Sequence, residues 1–190
     1  MKIGVVILAA GASERLGRPK QLLRYKGKSL IRHSIAAALG SSASSCMVVL
    51  GAGYDEIVRE VPTGLRVKIL DNQNWKEGMS SSIRAAIGAD PGMEYGIFMV
   101  ADQPFIESSV LDELIDTQKR TGKPIVVCEY DGSVGTPAMF HRSIFPELLA
   151  LKGDHGAKKV VLGHPDDCAK VPFPKGKIDI DTEDDYARLI

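Results

Sequence analysis

The sequence predicts an α/β fold, a single-domain three-layer sandwich with a mostly parallel (mixed) sheet at its centre. Short apolar runs rich in Val and Ile recur along the 190 residues, and segments with helical spacing lie between them. The runs are too apolar to have one face in water, so each strand needs cover on both faces. No repeat, low-complexity tract or long linker divides the chain, so we expect residues 1–190 to form one domain.

Strand and helix alternate over the first two thirds of the chain. The predicted strands are Lys2–Leu8, Cys46–Leu50, Arg66–Leu70, Gly96–Val100 and Ile125–Glu129. The predicted helices are Leu30–Leu39, Asp55–Val61, Ser80–Ala89 and Ser108–Arg120. We expect Ser108 to cap the last of these helices, and Gly122 followed by Pro124 to end it. Sheets of this kind bind ligands beyond the carboxyl ends of their strands, so a site is expected in the loops that follow the strands.

The alternation is looser after Tyr130, beginning with a predicted turn at Asp131 and Gly132. The remaining predicted elements are a strand at Gly135–His141, a helix at Ile144–Leu151, a loop leading into a helix over Gly153–Leu162, and short strands at Ala169–Pro172 and Lys177–Ile180. A closing helix over Thr182–Ile190 has Thr182 as its expected N-cap.

Composition and charge exclude several classes of protein. Lys and Arg together number 24, as do Asp and Glu, so the formal net charge is zero. A neutral chain is not expected to coat nucleic acid or a membrane surface, and no apolar stretch approaches the ~18 residues that a membrane span needs. Cys46, Cys128 and Cys168 are odd in number and lack CxxC spacing. They argue against a disulfide framework or a zinc site and favour a cytoplasmic protein.

The loop after the first strand, in LAAGASERLGRPKQLL (residues 8–23), combines two glycines with three cations. Gly11 and Gly17 permit backbone conformations in which successive N–H groups surround an anion. Arg15 can fork onto phosphate oxygens, and Lys20 can supply a point charge. The loop matches neither GxxxxGK[ST] nor GxGxxG, and an ordinary strand-to-helix turn is the alternative interpretation.

Three further segments carry polar side chains beyond predicted strands. The segment NQNWKEGMSSS, residues 72–82, has free N–H groups and hydroxyls that suit an anion or a polar ring edge, although an ordinary serine-capped helix has the same pattern. Asp102 directly follows a buried strand, as a Mg²⁺ ligand or a turn residue would. Asp179 and Asp181 place two carboxylates on one side of a strand, or serve a helix cap.

Taken together, these segments resemble the MobA-like NTP transferase group of nucleotidyltransferases. LAAGASERLGRPKQLL is similar to the signature loop of that group. The later motifs of the group have counterparts here in the same order, namely NWKEGMSSSIRAAI, VADQPFI, GTPAMF, GDHGAKKVV and DIDTEDDY. The resemblance runs from Ile3 to about Tyr186 and is greatest to the molybdenum cofactor cytidylyltransferases. It implies a Rossmann-like fold of the nucleotide-diphospho-sugar transferase type. It also implies transfer of CMP from CTP to the phosphate of molybdopterin, with release of pyrophosphate.

Site residues are implied by the same resemblance. Arg15, Lys20 and Asp102 would be catalytic. Asp102 and Asp181 would hold Mg²⁺. Apart from the resemblance, Asp179 is expected on the same face of the predicted strand as Asp181 and is the substitute for it. The nucleotide would be bound by Leu8, Ala9, Ala10, Gly11, Ala12, Ser13, Arg15, Lys20, Asn72, Ser80 and Asp102. The acceptor would be bound by Ser81, Ser82, Gln103, Pro137, Asp154, Gly156 and Lys158.

Two positions bear on specificity. The guanylyl-transferring members of the group have LAGG where this chain has LAAG, so Ala10 favours CTP over GTP by resemblance. Lys158 stands where the cytidylyltransferases more often have arginine, and lysine cannot form arginine's bidentate fork.

Three alternatives stay open at this point. A CTP- or UTP-dependent nucleotidyltransferase acting on a sugar or alcohol phosphate would need the same nucleotide-binding half. A non-catalytic molybdenum cofactor carrier or insertion factor, serving a molybdoenzyme partner, has little need of Arg15, Lys20 and Asp102 together. A flavodoxin-like or response-regulator domain is disfavoured because a second acidic residue is missing after the first strand.

Overall fold

The computed structural model describes residues 1–62 and 66–190, and its central element is a seven-stranded sheet. The strands in chain order are β1 (Ile3–Leu8), β2 (Arg24–Tyr25), β3 (Lys28–Ser29), β4 (Ser45–Leu50), β5 (Val67–Asp71), β6 (Tyr95–Val100), β7 (Ile125–Tyr130), β8 (Ser133–His141) and β9 (Cys168–Pro172). The helices are α1 (Leu30–Gly40), α2 (Tyr54–Ile57), α3 (Met79–Ala89), α4 (Ser108–Thr121), α5 (Phe145–Leu149), α6 (Lys158–Gly163) and α7 (Glu183–Leu189). Within the described ranges, no helix is both long and apolar enough to cross a membrane.

The order of the strands across the sheet is β5-β4-β1-β6-β8-β7-β9, while β2 and β3 form a separate hairpin. β1 pairs in parallel with β4 and β6, and β4 pairs in parallel with β5. β8 runs antiparallel to both of its neighbours, and β7 pairs in parallel with β9. The sheet is therefore mixed and mostly parallel, which confirms the predicted fold class.

The core lies on both faces of this sheet. Along β1, Val5 and Ile7 belong to one buried cluster, and Val6 and Leu8 belong to another. The first cluster includes residues of α1 and α4, and the second includes residues of α3, α5 and α6. Full burial of an aliphatic side chain of this size contributes about 1.5–3 kcal/mol. The double-sided burial is the physical reason for the unbroken apolar runs in the sequence.

The parallel strands bring several loops to one edge of the sheet. β1, β4, β5 and β6 run in the same direction, so their carboxyl ends at Leu8, Leu50, Asp71 and Val100 lie along that edge. The glycine-rich segment, the NQNW segment and the ADQP segment each begin there. This is the arrangement in which an α/β sheet presents a ligand site.

One predicted strand is wrong. At Lys177–Ile180 the structure has the end of a 3-10 turn, Pro174–Lys177, followed by irregular chain. Ile180 is fully buried in a cluster with Leu16 and Leu23, and its N–H donates to the carbonyl oxygen of Asp102 at 3.0 Å. These tertiary contacts, and not hydrogen bonds to a neighbouring strand, determine the path of the segment.

Helix ends also differ in part from the predictions. Ser108 is the first residue of α4 and not its cap; Glu107 occupies the N-cap without a side-chain hydrogen bond. The predicted end of α4 is confirmed, because Gly122 has a left-handed conformation and donates to the carbonyl oxygen of Gln118 at 2.8 Å. Thr182 is confirmed as the cap of α7, in a capping box with Asp185. The predicted helix over Asp55–Val61 is the four-residue α2 followed by a 3-10 turn.

Candidate functional site

The β1 loop, residues 9–20, folds back on itself. The N–H groups of Leu16 and Gly17 donate to the carbonyl oxygen of Ser13 at 3.0 and 3.1 Å. The N–H of Lys20 donates to Ser13 Oγ at 3.1 Å. Ser13 and Gly17 have φ values of 54° and 72°, and such left-handed residues reverse the direction of a chain. The reversal returns Lys20 to the edge of the sheet.

Lys20 lies at the centre of a cluster of charges that we call the Lys20 cluster, comprising Arg15, Lys20, Asp102 and Asp181. Its ammonium donates hydrogen bonds to Asp102 Oδ2 and, at 2.9 Å, to Asp181 Oδ1. Arg15 Nη2 donates to Asp181 Oδ2 at 2.7 Å. The side chains of Lys20 and Asp102 are only 20% and 14% exposed, so water screens this pair weakly. The structure thus brings together all four residues predicted to bind triphosphate and metal.

The position of Asp181 is fixed from both sides. On one side, Ile180 is buried and bonded to the backbone of Asp102. On the other side, the capping box of α7 includes a bond from the N–H of Thr182 to Asp185 Oδ2 at 2.9 Å. The carboxylate between these anchors is held facing Lys20 without belonging to a strand.

The electrostatics of the cluster favour its charged state. Burial opposes the charge of the Lys20 ammonium, but Asp102 and Asp181 outweigh it and raise the pKa of Lys20. Burial also opposes the charge of Asp181, yet Lys20 and then Arg15 hold the pKa of Asp181 below its usual value. Burial and the charge of Asp102 raise the pKa of the neighbouring Asp179 to about 6. Lys20 therefore lies among three carboxylates, of which Asp179 is the one whose charge is least stabilised.

Asp102 and Asp181 fit a divalent cation. Asp102 Oδ1 is buried and, among residues 1–62 and 66–190, has no hydrogen-bond partner. A buried carboxylate oxygen is costly to leave without a partner, and carboxylate oxygens are the ligands that Mg²⁺ and Mn²⁺ prefer. The described residues contain no group of three or more His, Cys, Asp or Glu suited to a metal ion. Two protein carboxylates suit a cation whose other ligands belong to a phosphate substrate.

A cavity of about 390 Å³, the loop cleft, opens between the β1 loop and the start of α3. Its lining consists of Leu8, Ala10, Gly11, Ala12, Glu14, Trp75, Lys76, Gly78, Met79, Ser82 and Asp154. Four of these were predicted to bind nucleotide, namely Leu8, Ala10, Gly11 and Ala12. Ala9 is buried, and Ser13 acts inside the β1 loop. Ser82 and Asp154 were predicted to bind the acceptor, but they line this cleft together with the residues predicted for the nucleotide.

The polar residues around the start of α3 form an internal network. Asn72 Nδ2 donates to Ser81 Oγ at 2.8 Å and to Ser82 Oγ at 3.0 Å. Ser81 Oγ donates in turn to the carbonyl oxygen of Gly78, and Ser80 Oγ accepts from Arg84. Asn72 and all three serines are buried. The hydroxyls of Ser80 and Ser81 are therefore used within the protein, and these residues shape the wall of the loop cleft from behind.

Gly78 joins this wall to the GDHG segment. Its φ is 90°, and a Cβ there would lie 2.4 Å from the carbonyl carbon of Gly153 and 2.5 Å from Asp154 Oδ1. The N–H of Ser80 donates to the carbonyl oxygen of Gly153 at 3.2 Å. Because only glycine permits this approach, Gly78 is what lets Asp154 reach the loop cleft.

A second cavity of about 410 Å³, the sheet cleft, lies along β6, β7 and β8. Its lining consists of Met79, Val100, Asp102, Gln103, Val127, Tyr130, Val134, Gly135, Thr136, Ala138, Gly156, Ala157, Lys158, Val161 and Asp179. Met79 lines both clefts, so they adjoin at this side chain. Asp102 lines the sheet cleft and bonds to Lys20 of the β1 loop. The Lys20 cluster thus borders the sheet cleft through Asp102, and Lys20 belongs to the β1 loop, whose residues 10–12 line the loop cleft.

Three of the predicted acceptor residues line the sheet cleft. Lys158 is exposed, with its ammonium 2.6 Å from Ser133 Oγ. Gly156 lies beside it at the start of α6. Gln103 is buried, donates to the carbonyl oxygen of Gly176 at 2.6 Å and accepts from Thr136 Oγ1 at 3.0 Å. Pro137 is buried in β8 between two lining residues and is not itself in the lining.

Gln21 and Trp75 are among the residues of the site that were not predicted from the sequence. Gln21 is 1% exposed, and its Nε2 donates to the carbonyl oxygens of Ala9 and Gly11 at 2.8 and 3.1 Å. Trp75, the single tryptophan of the sequence, lines the loop cleft and packs so closely on Gly51 that a Cβ there would lie 2.6 Å from Trp75 Cβ. A glutamine in a loop and a tryptophan near a strand end have no distinctive spacing, so only the composition of the segments could have drawn attention to them.

Known proteins of one family resemble this chain over most of its length. Residues 5–168 match the MobA-like NTP transferase domain. Purine catabolism protein PucB of Bacillus subtilis is 29% identical over 95% of this chain and 92% of its own length. Nicotine blue oxidoreductase of Paenarthrobacter nicotinovorans is 32% identical over 58% of this chain, and the match spans 54% of that protein's length.

Among solved structures, Rv0371c of Mycobacterium tuberculosis H37Rv is 31% identical, with a TM-score of 0.85 over 100% of this chain and 97% of that one. A crystal structure of Rv0371c in complex with manganese has a TM-score of 0.78 at 30% identity, covering 100% of this chain and 97% of the other. Family membership implies a nucleoside triphosphate and a phosphorylated acceptor as substrates. The chain belongs to the MobA-like NTP transferase family of nucleotidyltransferases.

Proposed function

We propose that this protein transfers CMP from CTP to the phosphate of molybdopterin or of the molybdenum cofactor and releases pyrophosphate. The observation that carries the proposal is the Lys20 cluster, which joins Asp102 of the sheet cleft to the β1 loop that forms one wall of the loop cleft. The loop cleft has the backbone-rich lining that suits a nucleotide, and the sheet cleft is a separate compartment for an acceptor. A transfer between two substrates needs both compartments to open on one charged centre.

The chemistry asks for alignment and charge neutralisation. An oxygen of the acceptor phosphate attacks the α-phosphorus of CTP, a new P–O bond forms, and the bond to the bridging oxygen of pyrophosphate breaks. The phosphate attacks as an anion, so no side chain has to remove a proton from it. Lys20 and Arg15 bind the triphosphate oxygens and compensate the charge that grows on the departing pyrophosphate. The two clefts hold the reactants in line, which lowers the entropic part of the barrier.

We propose Mg²⁺ as the cofactor, held by Asp102 and Asp181. The buried Oδ1 of Asp102 and the manganese complex of the related Rv0371c support a divalent cation. When bound, such a cation supplies positive charge to the phosphate oxygens. Binding of the triphosphate draws Lys20 and Arg15 toward the nucleotide and leaves the two carboxylates for the metal.

Of the residues predicted to bind the nucleotide, some contact it directly in this proposal and others support those that do. Leu8, Ala10, Gly11 and Ala12 contact the base and ribose. Ala9, Ser13, Asn72 and Ser80 hold the wall and the loop in place. Ala10 supports CTP over GTP, because its methyl group fills space in the cleft that a glycine would leave to a larger ring. That methyl group is itself confined, since a Cβ on Gly51 would lie 3.0 Å from Ala10 Cβ.

Molybdopterin as the acceptor is supported by the GTPAMF and GDHGAKKVV motifs and by the chemistry of the sheet cleft. Valine, alanine and methionine side chains supply walls for a flat ring system. Lys158 supplies a cation at the rim for an anionic group, although it lacks the fork of an arginine. Gly156 and Pro137 of β8 complete this side of the sheet cleft, and Gln103 supports it. Ser82 and Asp154 act from the loop cleft, and Ser81 supports its wall from behind.

The runner-up is a CTP- or UTP-dependent transferase that acts on a sugar or alcohol phosphate. The apolar walls of the sheet cleft favour a flat ring over a sugar, whose hydroxyls need more hydrogen-bonding partners. A carrier of molybdenum cofactor without activity is disfavoured, because it has no use for the Lys20 cluster.

The test is pyrophosphate release with each of the four nucleoside triphosphates, Mg²⁺, and either molybdopterin or a panel of sugar and alcohol phosphates. The proposal expects turnover with CTP and molybdopterin to exceed every other pairing. Turnover confined to sugar phosphates would favour the runner-up, and binding without any pyrophosphate release would favour the carrier.

A further inference from the structure

Gln21 has a role that its position in the sequence does not reveal. Its side chain is 1% exposed, beneath the β1 loop and next to Lys20. Both hydrogens of its amide are used, because Nε2 donates to the carbonyl oxygens of Ala9 at 2.8 Å and Gly11 at 3.1 Å. Turning the amide over would place Oε1 against two carbonyl oxygens, so the orientation is fixed by repulsion as well as by bonding.

The two hydrogen bonds from Gln21 to the carbonyl oxygens of Ala9 and Gly11 set the direction of the N–H groups that follow those carbonyls. In a planar trans peptide the carbonyl and the following N–H point in opposite directions. With the carbonyls of Ala9 and Gly11 turned toward the buried amide, the N–H groups of Ala10 and Ala12 point away from it. Ala10 and Ala12 both line the loop cleft, and no residue within the described ranges accepts a hydrogen bond from either N–H.

Keeping Gln21 in this position has a cost. Its Oε1 is buried and, in the described part of the chain, finds no hydrogen-bond donor. A buried amide oxygen without a partner has lost its hydrogen bonds to water and gained none in return, which destabilises the fold. A methionine of similar length would avoid that cost but could not hold the two carbonyls. The unpartnered Oε1 is therefore consistent with a glutamine whose contribution is to the shape of the β1 loop and not to the stability of the fold.

We propose that Gln21 is a positioning residue that turns the Ala10 and Ala12 N–H groups into the loop cleft and so sets nucleotide affinity. This rests on the proposed function of the loop cleft. Gln21 does not touch the reacting phosphates, which lie with Lys20 and Asp102. Its loss therefore weakens nucleotide binding and spares the rate at saturation.

The test compares Gln21→Met, Gln21→Glu and the control Gln118→Met. Gln118 is a buried glutamine in α4, 6% exposed, that donates to the Tyr95 hydroxyl at 2.8 Å and lies in neither cleft lining. Calorimetric titration with each of the four nucleoside triphosphates and Mg²⁺ gives the Kd, and thermal unfolding without nucleotide reports the fold. Gln21→Glu keeps the size of the side chain but replaces the amide NH2 group, so even a protonated carboxyl can donate to only one of the two carbonyl oxygens; it separates the loss of bonding from a change of packing.

Both Gln21 variants should weaken the Kd of the preferred nucleotide about tenfold, the scale of one lost hydrogen bond. They should raise KM by a similar factor and leave kcat at saturation within about twofold, and Gln118→Met should leave the Kd unchanged. Folded Gln21 variants with wild-type Kd, or with kcat reduced and Kd intact, would overturn the role of Gln21 alone. If the wild-type protein binds none of the four nucleotides, the proposed function fails and this inference fails with it.

Discussion

The backbone N–H of Ile180 donates to the carbonyl oxygen of Asp102 at 3.0 Å. This bond joins the end of the chain to the end of a central strand and brings the neighbouring Asp181 to the ammonium of Lys20, 2.9 Å away. The candidate centre is therefore assembled from three distant parts of the sequence. Each part can be altered separately by substitution.

Replacing Lys20 should impair use of the nucleotide. Lys20→Ala removes a cation placed for the triphosphate, and a charge-assisted hydrogen bond is worth about 1.5–3 kcal/mol. We expect kcat/KM for the nucleotide to fall by roughly one to two orders of magnitude in steady-state assays. Lys170→Ala is the matched control, because Lys170 pairs with Glu129 on the surface, outside both cleft linings. Equal kinetics in the two variants would exclude Lys20 from the triphosphate site.

Asp102, Asp181 and Asp179 should differ in how strongly turnover depends on their carboxylates. Asp102→Asn keeps the size of the side chain and removes its charge, so it should abolish most turnover and leave the fold and much of the nucleotide affinity intact. Asp181→Ala should also abolish turnover, and more severely than Asp179→Ala, because Asp181 faces Lys20 and Arg15. Asp116→Asn, at an exposed position of α4, is the control. Turnover, calorimetry and thermal unfolding together check this order, and a larger loss from Asp179→Ala would reverse the assignment.

Lys20 and a divalent cation should compete for the same carboxylates. The ammonium bonds to both Asp102 and Asp181, so it repels a second cation there. Lys20→Met should bind Mn²⁺ more tightly than the wild-type protein when no nucleotide is present, as measured by electron paramagnetic resonance of free Mn²⁺. Adding Asp102→Asn to this variant should remove the gain. Equal Mn²⁺ affinity in the wild-type and Lys20→Met proteins would place the metal elsewhere.

Gly78 should be intolerant of even the smallest side chain. Gly78→Ala combines a φ of 90° with a contact of 2.4 Å to Gly153, so it should cost about 1–3 kcal/mol of unfolding free energy and displace Asp154 from the loop cleft. Gly88→Ala is the control, inside α3, the helix that Gly78 precedes; a Cβ there meets nothing within 4 Å, and it should stabilise by about 0.5–1 kcal/mol. Urea unfolding of both variants checks the contrast. A neutral Gly78→Ala would show that the 153–156 segment can shift without loss.

Much of this fold could be predicted from the sequence, because burial on both faces leaves a plain apolar signal in β1, β4, β6 and β7. Glycines and charges placed directly after strands indicated the β1 loop and Asp102 in the same way. The segment around Ile180 could not be predicted. Polar and apolar side chains alternate in it as they do in a strand. Its path, however, depends on the buried side chain of Ile180 and on a hydrogen bond to the distant Asp102.

The division of residues between the clefts was equally inaccessible to sequence reasoning. Asp154 and Ser82 belong to motifs that suggest the acceptor, yet they line the loop cleft. The cause is the close approach of Gly78 and Gly153, a contact between parts of the chain that no local pattern connects. Gln21 was missed for a similar reason, since its bonds to Ala9 and Gly11 depend on how the β1 loop folds back.

The most direct test of the account is label transfer. Wild-type protein is incubated with molybdopterin, Mg²⁺ and CTP labelled at the α-phosphate, and in parallel with CTP labelled at the γ-phosphate. We predict that the α-label enters the pterin product, that the γ-label appears in pyrophosphate, and that Asp102→Asn does neither at a measurable rate. Failure of the α-label to enter the pterin with wild-type protein, or equal transfer by Asp102→Asn, would contradict it.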